Sequence, residues 1–154
     1  MAVLFPFEVH TPYRLFFSGS VEAIVLTLTD GEVAVYANHA SFTAPAASGL
    51  LRIKDKDGNW KTAFTAEGIL EVKNHKTVLI SDAAEWPEEI DCERAGKAKK
   101  SAEQALAAGM LKFETGAAAA SLRRANMRLK AGLLAKGASV QTDPKDGEPQ
   151  GTGG

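Results

Sequence analysis

Around Pro87 the hydrophobic repeat of the chain changes from two to about three and a half, and that change limits the fold more than any other feature. Upstream, short runs such as Phe5-Pro6-Phe7-Glu8-Val9-His10 alternate apolar and polar side chains, the pattern of half-buried strands. Downstream, Ala95, Ala98, Ala102, Ala105 and Leu106 fall at three- and four-residue steps, the pattern of one helix face. Between them lies Glu85-Trp86-Pro87-Glu88-Glu89-Ile90-Asp91. Pro87 has no N–H and ends the preceding strand, and it pushes Trp86 toward an extended conformation. Asp91 then caps a helix by accepting from N–H groups that the first turn leaves unpaired.

Upstream of the switch, the spacing predicts about eight to ten short strands separated by turn signals, a β-sandwich. Phe5 to Thr11 reads as an edge strand because of Pro6. A second strand begins at Leu15-Phe16-Phe17 and is interrupted by Ser18-Gly19-Ser20. Val21 to Thr29 is apolar or mild on both faces and reads as central. Asp30-Gly31 reads as a two-residue hairpin turn, Asp57-Gly58 as the centre of a charged turn, and Asn74-His75 as a tight polar break.

Downstream, a second helix from about Phe113 carries Ala118, Leu122, Ala125, Leu129 and Leu133 on one stripe, with Gly109 before it and Gly137 ending it. Small residues on both stripes let two backbones approach, so the pair reads as an antiparallel αα-hairpin. Such a hairpin buries little by itself and is marginal unless it packs on something. The expected organisation is a β + α chain: a β-sandwich domain over 1–86, a C-terminal antiparallel α-helical hairpin over 87–136, and a disordered polar tail over 137–154.

Charge follows this division. Residues 1–90 carry a net −5, residues 91–136 a net +6 and the tail −2. A net charge of −1 argues against a globally basic nucleic-acid binder, and the cationic arm suits an acidic partner or its own anionic body. The single cysteine, Cys92, excludes an intrachain disulfide and points to a reducing compartment. No signal peptide and no apolar stretch of bilayer length is legible. No enzyme constellation emerges: there is no phosphate loop or nucleophile elbow, and His10, His39 and His75 lack partners at metal-ligand spacing.

Two groups of residues invite a functional reading. Asp91 and Arg94 share one face of a first helical turn, either as a simple i,i+3 ion pair or as a grip on a polar ligand. On the second helix, Arg123, Arg124, Arg128 and Lys130 form either a solvated face or a set of cations for carboxylates or phosphates. If the hairpin folds down, these arginines could approach the Asp91/Arg94 turn, where Ile90, Ala95 and Asp91 offer an apolar slot and an acceptor for an adenine.

The stretches Phe7-Glu8-Val9-His10-Thr11-Pro12, Asn38-His39-Ala40, Gly49-Leu50-Leu51-Arg52-Ile53 and Ile90-Asp91-Cys92-Glu93-Arg94-Ala95, in this order and spacing, resemble the epsilon subunit of the bacterial F-type rotary ATP synthase over residues 4–136. Ala37-Asn38 departs from the Pro-Gly common in that family, and the polar tail is an addition. The resemblance implies a non-catalytic central-stalk subunit of the proton-translocating ATP synthase. It would sit peripherally at the cytoplasmic face of the bacterial membrane and meet the membrane only through the complex. Its partners would be the gamma subunit, the c-ring and the alpha and beta catalytic subunits. The resemblance further implies that loops carrying Glu32 and His39 face the ring, that the arm inhibits ATP hydrolysis, and that no cofactor is required. A regulatory ATP would be held by Ile90, Asp91, Arg94 and Ala95, with Arg123, Arg124 or Arg128 as partners. The alternative is a free-standing ATP-sensing module in which the hairpin acts as a lid.

Overall fold

The computed structural model describes residues 2–108 and 112–135, with side chains described over 2–108, 116–133. The expected end of the second helix at Gly137, the break at Gly109 and the tail over 137–154 lie outside the described residues. Nine strands come first: β1 (Phe5–His10), β2 (Leu15–Leu28), β3 (Gly31–Tyr36), β4 (Phe42–Ala46), β5 (Gly49–Asp55), β6 (Trp60–Thr65), β7 (Gly68–Lys73), β8 (Lys76–Ser81) and β9 (Ala84–Glu85). A 3-10 turn over Pro87–Glu89 leads into helices α1 (Cys92–Ala107) and α2 (Lys112–Ala135).

The strands follow the order β1-β8-β7-β4-β2-β5-β6-β9, with β3 also on β2 and β1 closing back onto β2. All pairings are antiparallel except β1 with β8. The 14-residue β2 joins the two layers, since it pairs with β1 in its first half and with β3 and β5 in its second. Alternate residues of these strands fill one core: Phe7, Val9, Val21, Ile24, Leu26, Val35, Leu51, Ile53, Leu70 and Leu79 are all essentially inaccessible. At about 1.5–3 kcal/mol per large apolar side chain buried, this core dominates the stability of the chain.

Several local expectations need correction. β1 is not an edge strand; it lies between β2 and β8. Pro6 is tolerated because the parallel pairing begins one residue later, at Phe7 with Thr77, so its missing N–H interrupts no ladder on that side. Ser18-Gly19-Ser20 does not interrupt β2, because these residues pair with Glu8, Phe7 and Pro6 of β1. Cross-strand pairing overrides their turn propensity. The irregularity lies further on, between Val21 and Ala23, where Glu22 is the extra residue opposite β5.

The first hairpin also differs from expectation. Leu28 pairs with Gly31, so Thr29-Asp30 is the two-residue loop and Gly31, at φ +135°, is the first residue of the returning strand. Asp57-Gly58 behaves as expected: Gly58 has φ +84°, and the Asp55 carboxylate accepts from the N–H groups of Asp57 and Asn59. Lys73 pairs with Lys76, leaving Asn74-His75 as a two-residue turn.

α1 and α2 pack antiparallel, with the start of α1 at Cys92 against Gly132 near the end of α2. Ala95, Ala102, Ala125 and Ala131 are buried, as small-residue packing requires. Leu133 does not face inward as the stripe predicted; it is 66% exposed. α2 packs on α1 and on the sandwich at once, so its buried arc is rotated to Ala125, Ala131 and Gly132, with Met127 beside them.

Candidate functional site

The joint between the two parts is anchored from both sides. Trp86 stacks on Phe16 at 4.7 Å between ring centroids and meets Phe17 edge-on at 6.5 Å. One carboxylate oxygen of Glu89 accepts from the Trp86 N–H (2.9 Å), closing the 3-10 turn. The same carboxylate receives both terminal nitrogens of Arg14, at 3.0 and 2.7 Å, 75 residues away in sequence. The Arg14 guanidinium and the Trp86 N–H hold Glu89 below the usual carboxylate range. The sequence pattern pointed to none of Arg14, Trp86 and Glu89 as anchors; the spacing of Glu89 three residues after Trp86 was the available local signal.

At the helix start, Asp91 accepts from the Arg94 backbone N–H at 3.0 Å. The i,i+3 ion pair considered for these two residues does not form. The Asp91 carboxylate serves as the cap, and among the described residues the exposed Arg94 guanidinium has no ion-pair partner. Ala95 is buried in the hairpin, whereas Ile90 packs toward the sandwich beside Phe64, Ala66, Ala131 and Met127. Ile90, Asp91, Arg94 and Ala95 therefore present one half-buried apolar residue and two exposed polar ones around a single turn.

The arginines of α2 are placed differently from one another. Arg123 is exposed. Arg124 donates to Glu67 at 3.3 Å. Arg128 donates through Nε to Glu85 at 3.2 Å and lies over the Phe64 ring, 4.7 Å from its centroid. Phe64 and Glu85 are cross-strand partners on β6 and β9, so one guanidinium meets a ring face and a carboxylate presented side by side. Of the three arginines expected near the Asp91 turn, Arg124 and Arg128 are thus engaged by the rim of the sandwich, and Arg123 is not. Glu67, Glu85 and Phe64 went unnoticed in the sequence, because nothing local marks a residue as the distant partner of an arginine.

Burial pushes the Glu67 carboxyl up, but its own backbone N–H, the neighbouring Ser48 hydroxyl and Arg124 more than offset this, holding it below the usual carboxylate range. The Ser48 hydroxyl is buried and lies beside that carboxylate without a well-formed hydrogen bond of its own.

The loop residues Glu32 and His39 lie apart from the joint. Glu32 is exposed and accepts from Arg52 at 3.2 Å. His39 is held by a 2.8 Å contact between Nδ1 and the Ala40 carbonyl and sits 5.2 Å from the Phe42 ring. Asn38, where the resembling family commonly has glycine, keeps the left-handed conformation at φ +62° that asparagine tolerates. A cleft of about 550 Å³ opens between Phe17, Ser20, Val21, Ile53 and the Asp55–Asp57 turn, and none of the candidate residues lines it. Among the described residues no cluster of His, Cys, Asp and Glu could hold a metal ion.

A β-sandwich with a two-helix arm docked on its rim defines a recognisable class. The family model described as ATP synthase, Delta/Epsilon chain, beta-sandwich domain matches residues 4–87, and the one described as its long alpha-helix domain matches residues 88–132. The ATP synthase epsilon chain of Caldanaerobacter subterraneus subsp. tengcongensis is 49% identical over 127 residues, covering 82% of this chain and 91% of its own. That of Caldicellulosiruptor bescii is 49% identical over 126 residues, with the same coverage of each. Among solved structures, a chain of the Euglena gracilis mitochondrial ATP synthase (OSCP/F1/c-ring) superposes with a TM-score of 0.74 at 20% identity, covering 86% of this chain and 83% of its own, and so supports the fold. The chain belongs to the ATP synthase epsilon-chain family, whose members are non-catalytic subunits.

The tightest packing at the joint generates a prediction. A Cβ on Gly132 would lie 2.6 Å from the Cys92 sulfur. In an unconstrained helix Gly→Ala gains about 1 kcal/mol. Here Gly132→Ala should instead lower the stability of the helical arm by about 1–3 kcal/mol through overpacking. Adding Cys92→Ala should restore it. Thermal melts followed at 222 nm read the outcome; a single variant at least as stable as the parent would refute the close contact.

Proposed function

We propose that this epsilon-family chain acts in the central stalk of a proton-translocating ATP synthase. In this reading the sandwich joins the gamma subunit to the c-ring, with Glu32 and His39 toward the ring. The complex would hold the chain peripherally at the cytoplasmic face of the bacterial membrane. Among the described residues no helix is long and apolar enough to cross a membrane. The arm restrains ATP hydrolysis by leaving the sandwich and meeting the alpha and beta catalytic subunits. The observation that carries this reading is the two-part build: a sandwich with its own complete core, and a cationic arm held to it by a small rim contact.

Synthase complexes assembled with the chain cut after Glu89, which keeps β9, Trp86 and the Arg14–Glu89 pair, should still couple but hydrolyse ATP several-fold faster than intact ones. Equal hydrolysis rates across ATP concentrations would show that the arm does not inhibit.

A regulatory ATP at the joint is the second part of the proposal, and no cofactor is otherwise required. The exposed Arg94 guanidinium beside the Asp91 cap, with Ile90 and Ala95 next to it, supports it. Phosphates would draw Arg123, Arg124 or Arg128 from their present positions. Arg94→Ala should then weaken ATP binding to the isolated chain by ~1.5–3 kcal/mol, roughly ten- to a hundredfold in Kd. Calorimetry reads this directly. Binding that survives Arg94→Ala unchanged would remove the site from the joint. The free-standing ATP-sensing module, with the hairpin as lid, requires the same ATP binding but no association with a synthase; recovery of the chain from membranes without gamma and the catalytic subunits would favour it.

A further inference from the structure

We propose that Glu67 and Glu85 form a two-point electrostatic latch that holds α2 on the sandwich, so that ionic strength sets how often the arm lets go. The inference concerns the docked arm itself and stands whatever the arm does in an assembly.

The apolar contact under α2 is small. Phe64, Ala66 and Ala131 are its buried members, and Leu50, Ala83, Ile90 and Met127 edge it. From α2 itself it receives one alanine methyl and part of a methionine. Such an area is modest beside the main core, so the polar contacts weigh more in the balance.

Both glutamates stand on well-held backbone at the rim of the sandwich. Glu67 lies in the turn between β6 and β7. Its carbonyl accepts from the Asp82 N–H at 3.0 Å, and the preceding Ala66 N–H donates to Ala83 at 2.9 Å. The next residue, Gly68, has no room for a side chain: a Cβ there would lie 1.8 Å from the Ile80 carbonyl oxygen. Glu85 is fixed by the pairing of β9 with β6. A fixed backbone limits where each carboxylate can reach, and partial burial reduces screening, which favours an ion pair over the ordinary surface case.

The arm matches this spacing. Arg124 and Arg128 are one helical turn apart and reach Glu67 and Glu85 together. All four side chains are only about a third exposed, at 36% and 34% for the first pair and 29% and 30% for the second. Arg128 has the further contact with the Phe64 ring. Release would add Arg124 and Arg128 to Arg123 and Lys130, which are exposed in the docked arm as well, leaving four unpaired cations within eight residues of one helix. Added salt screens the attraction that opposes release, since the Debye length falls from about 10 Å at 0.1 M to about 3 Å at 1 M.

The test uses the full chain, isolated, with methyl NMR. The Ala131 methyl against the Phe64 ring marks the docked arm, and exchange measurements give the undocked population. Glu67→Gln and Glu85→Gln should each raise that population about fivefold, the worth of a favourable part-exposed pair, and the double variant about twenty-five-fold if the pairs act independently. Raising salt from 0.05 to 1 M should raise it in the parent and have little effect in the double variant. Sandwich resonances serve as the folding control. Should Glu67→Gln disturb them, the charge swap Glu67→Arg with Arg124→Glu should restore docking relative to either single swap. An undocked population equal in parent and double variant, a salt effect undiminished in the double variant, or a swap that fails to restore docking would each overturn the latch.

Discussion

The stacking of Trp86 on Phe16 and Phe17 fixes where the helices begin. Without that plug, the segment after β9 would keep only the Arg14–Glu89 pair and the small patch at Ile90 to hold it to the sandwich. With it, Pro87 turns the chain, Glu89 closes the turn, and α1 starts from a defined point on the rim. Everything α2 touches depends on that start. The antiparallel return brings Ala131 to Phe64 and Gly132 to Cys92, and it places Arg124 and Arg128 above Glu67 and Glu85.

The two parts are stabilised by different physics. The sandwich has a deep apolar core, continuous from Phe7 to Leu79, closed by a strand long enough to serve both layers. The hairpin is bound by close approach of small residues and by a rim of ion pairs around a shallow patch. Hydrophobic burial scales with area, and the hairpin has little of it. A chain so divided has a deeply packed body and an arm bound to it through far less apolar area.

Much of this was legible from local sequence. The change of period at Pro87 located the boundary between strands and helices, and Asp91 as a cap follows from a spacing of three residues. The main strands followed from alternation. What remained hidden depends on residues far apart in the chain. Arg14 and Glu89 are 75 positions apart, and Arg124 and Glu67 are 57. A single sequence holds no sign that such residues meet. Pro6 suggested an edge strand because the offset of the parallel pairing cannot be read from β1 alone. Leu133 was misplaced for a related reason: a stripe assumes one packing partner, and α2 has two. At the joint, the resemblance gathered Ile90, Asp91, Arg94 and Ala95 with the arginines of α2. The fold brings two of them, Arg124 and Arg128, to the sandwich carboxylates Glu67 and Glu85, a pairing that residue types alone do not disclose.

Native-state hydrogen exchange on the full-length chain tests the division into body and arm most directly. Backbone amides of α1 and α2 should exchange through a low-energy opening that leaves β2, β5 and β8 protected, giving two classes of opening free energy separated by several kcal/mol. If the amides of α2 instead exchange only with the core strands, at one shared free energy and with one shared denaturant dependence, the arm is an integral part of a single cooperative unit and the account fails.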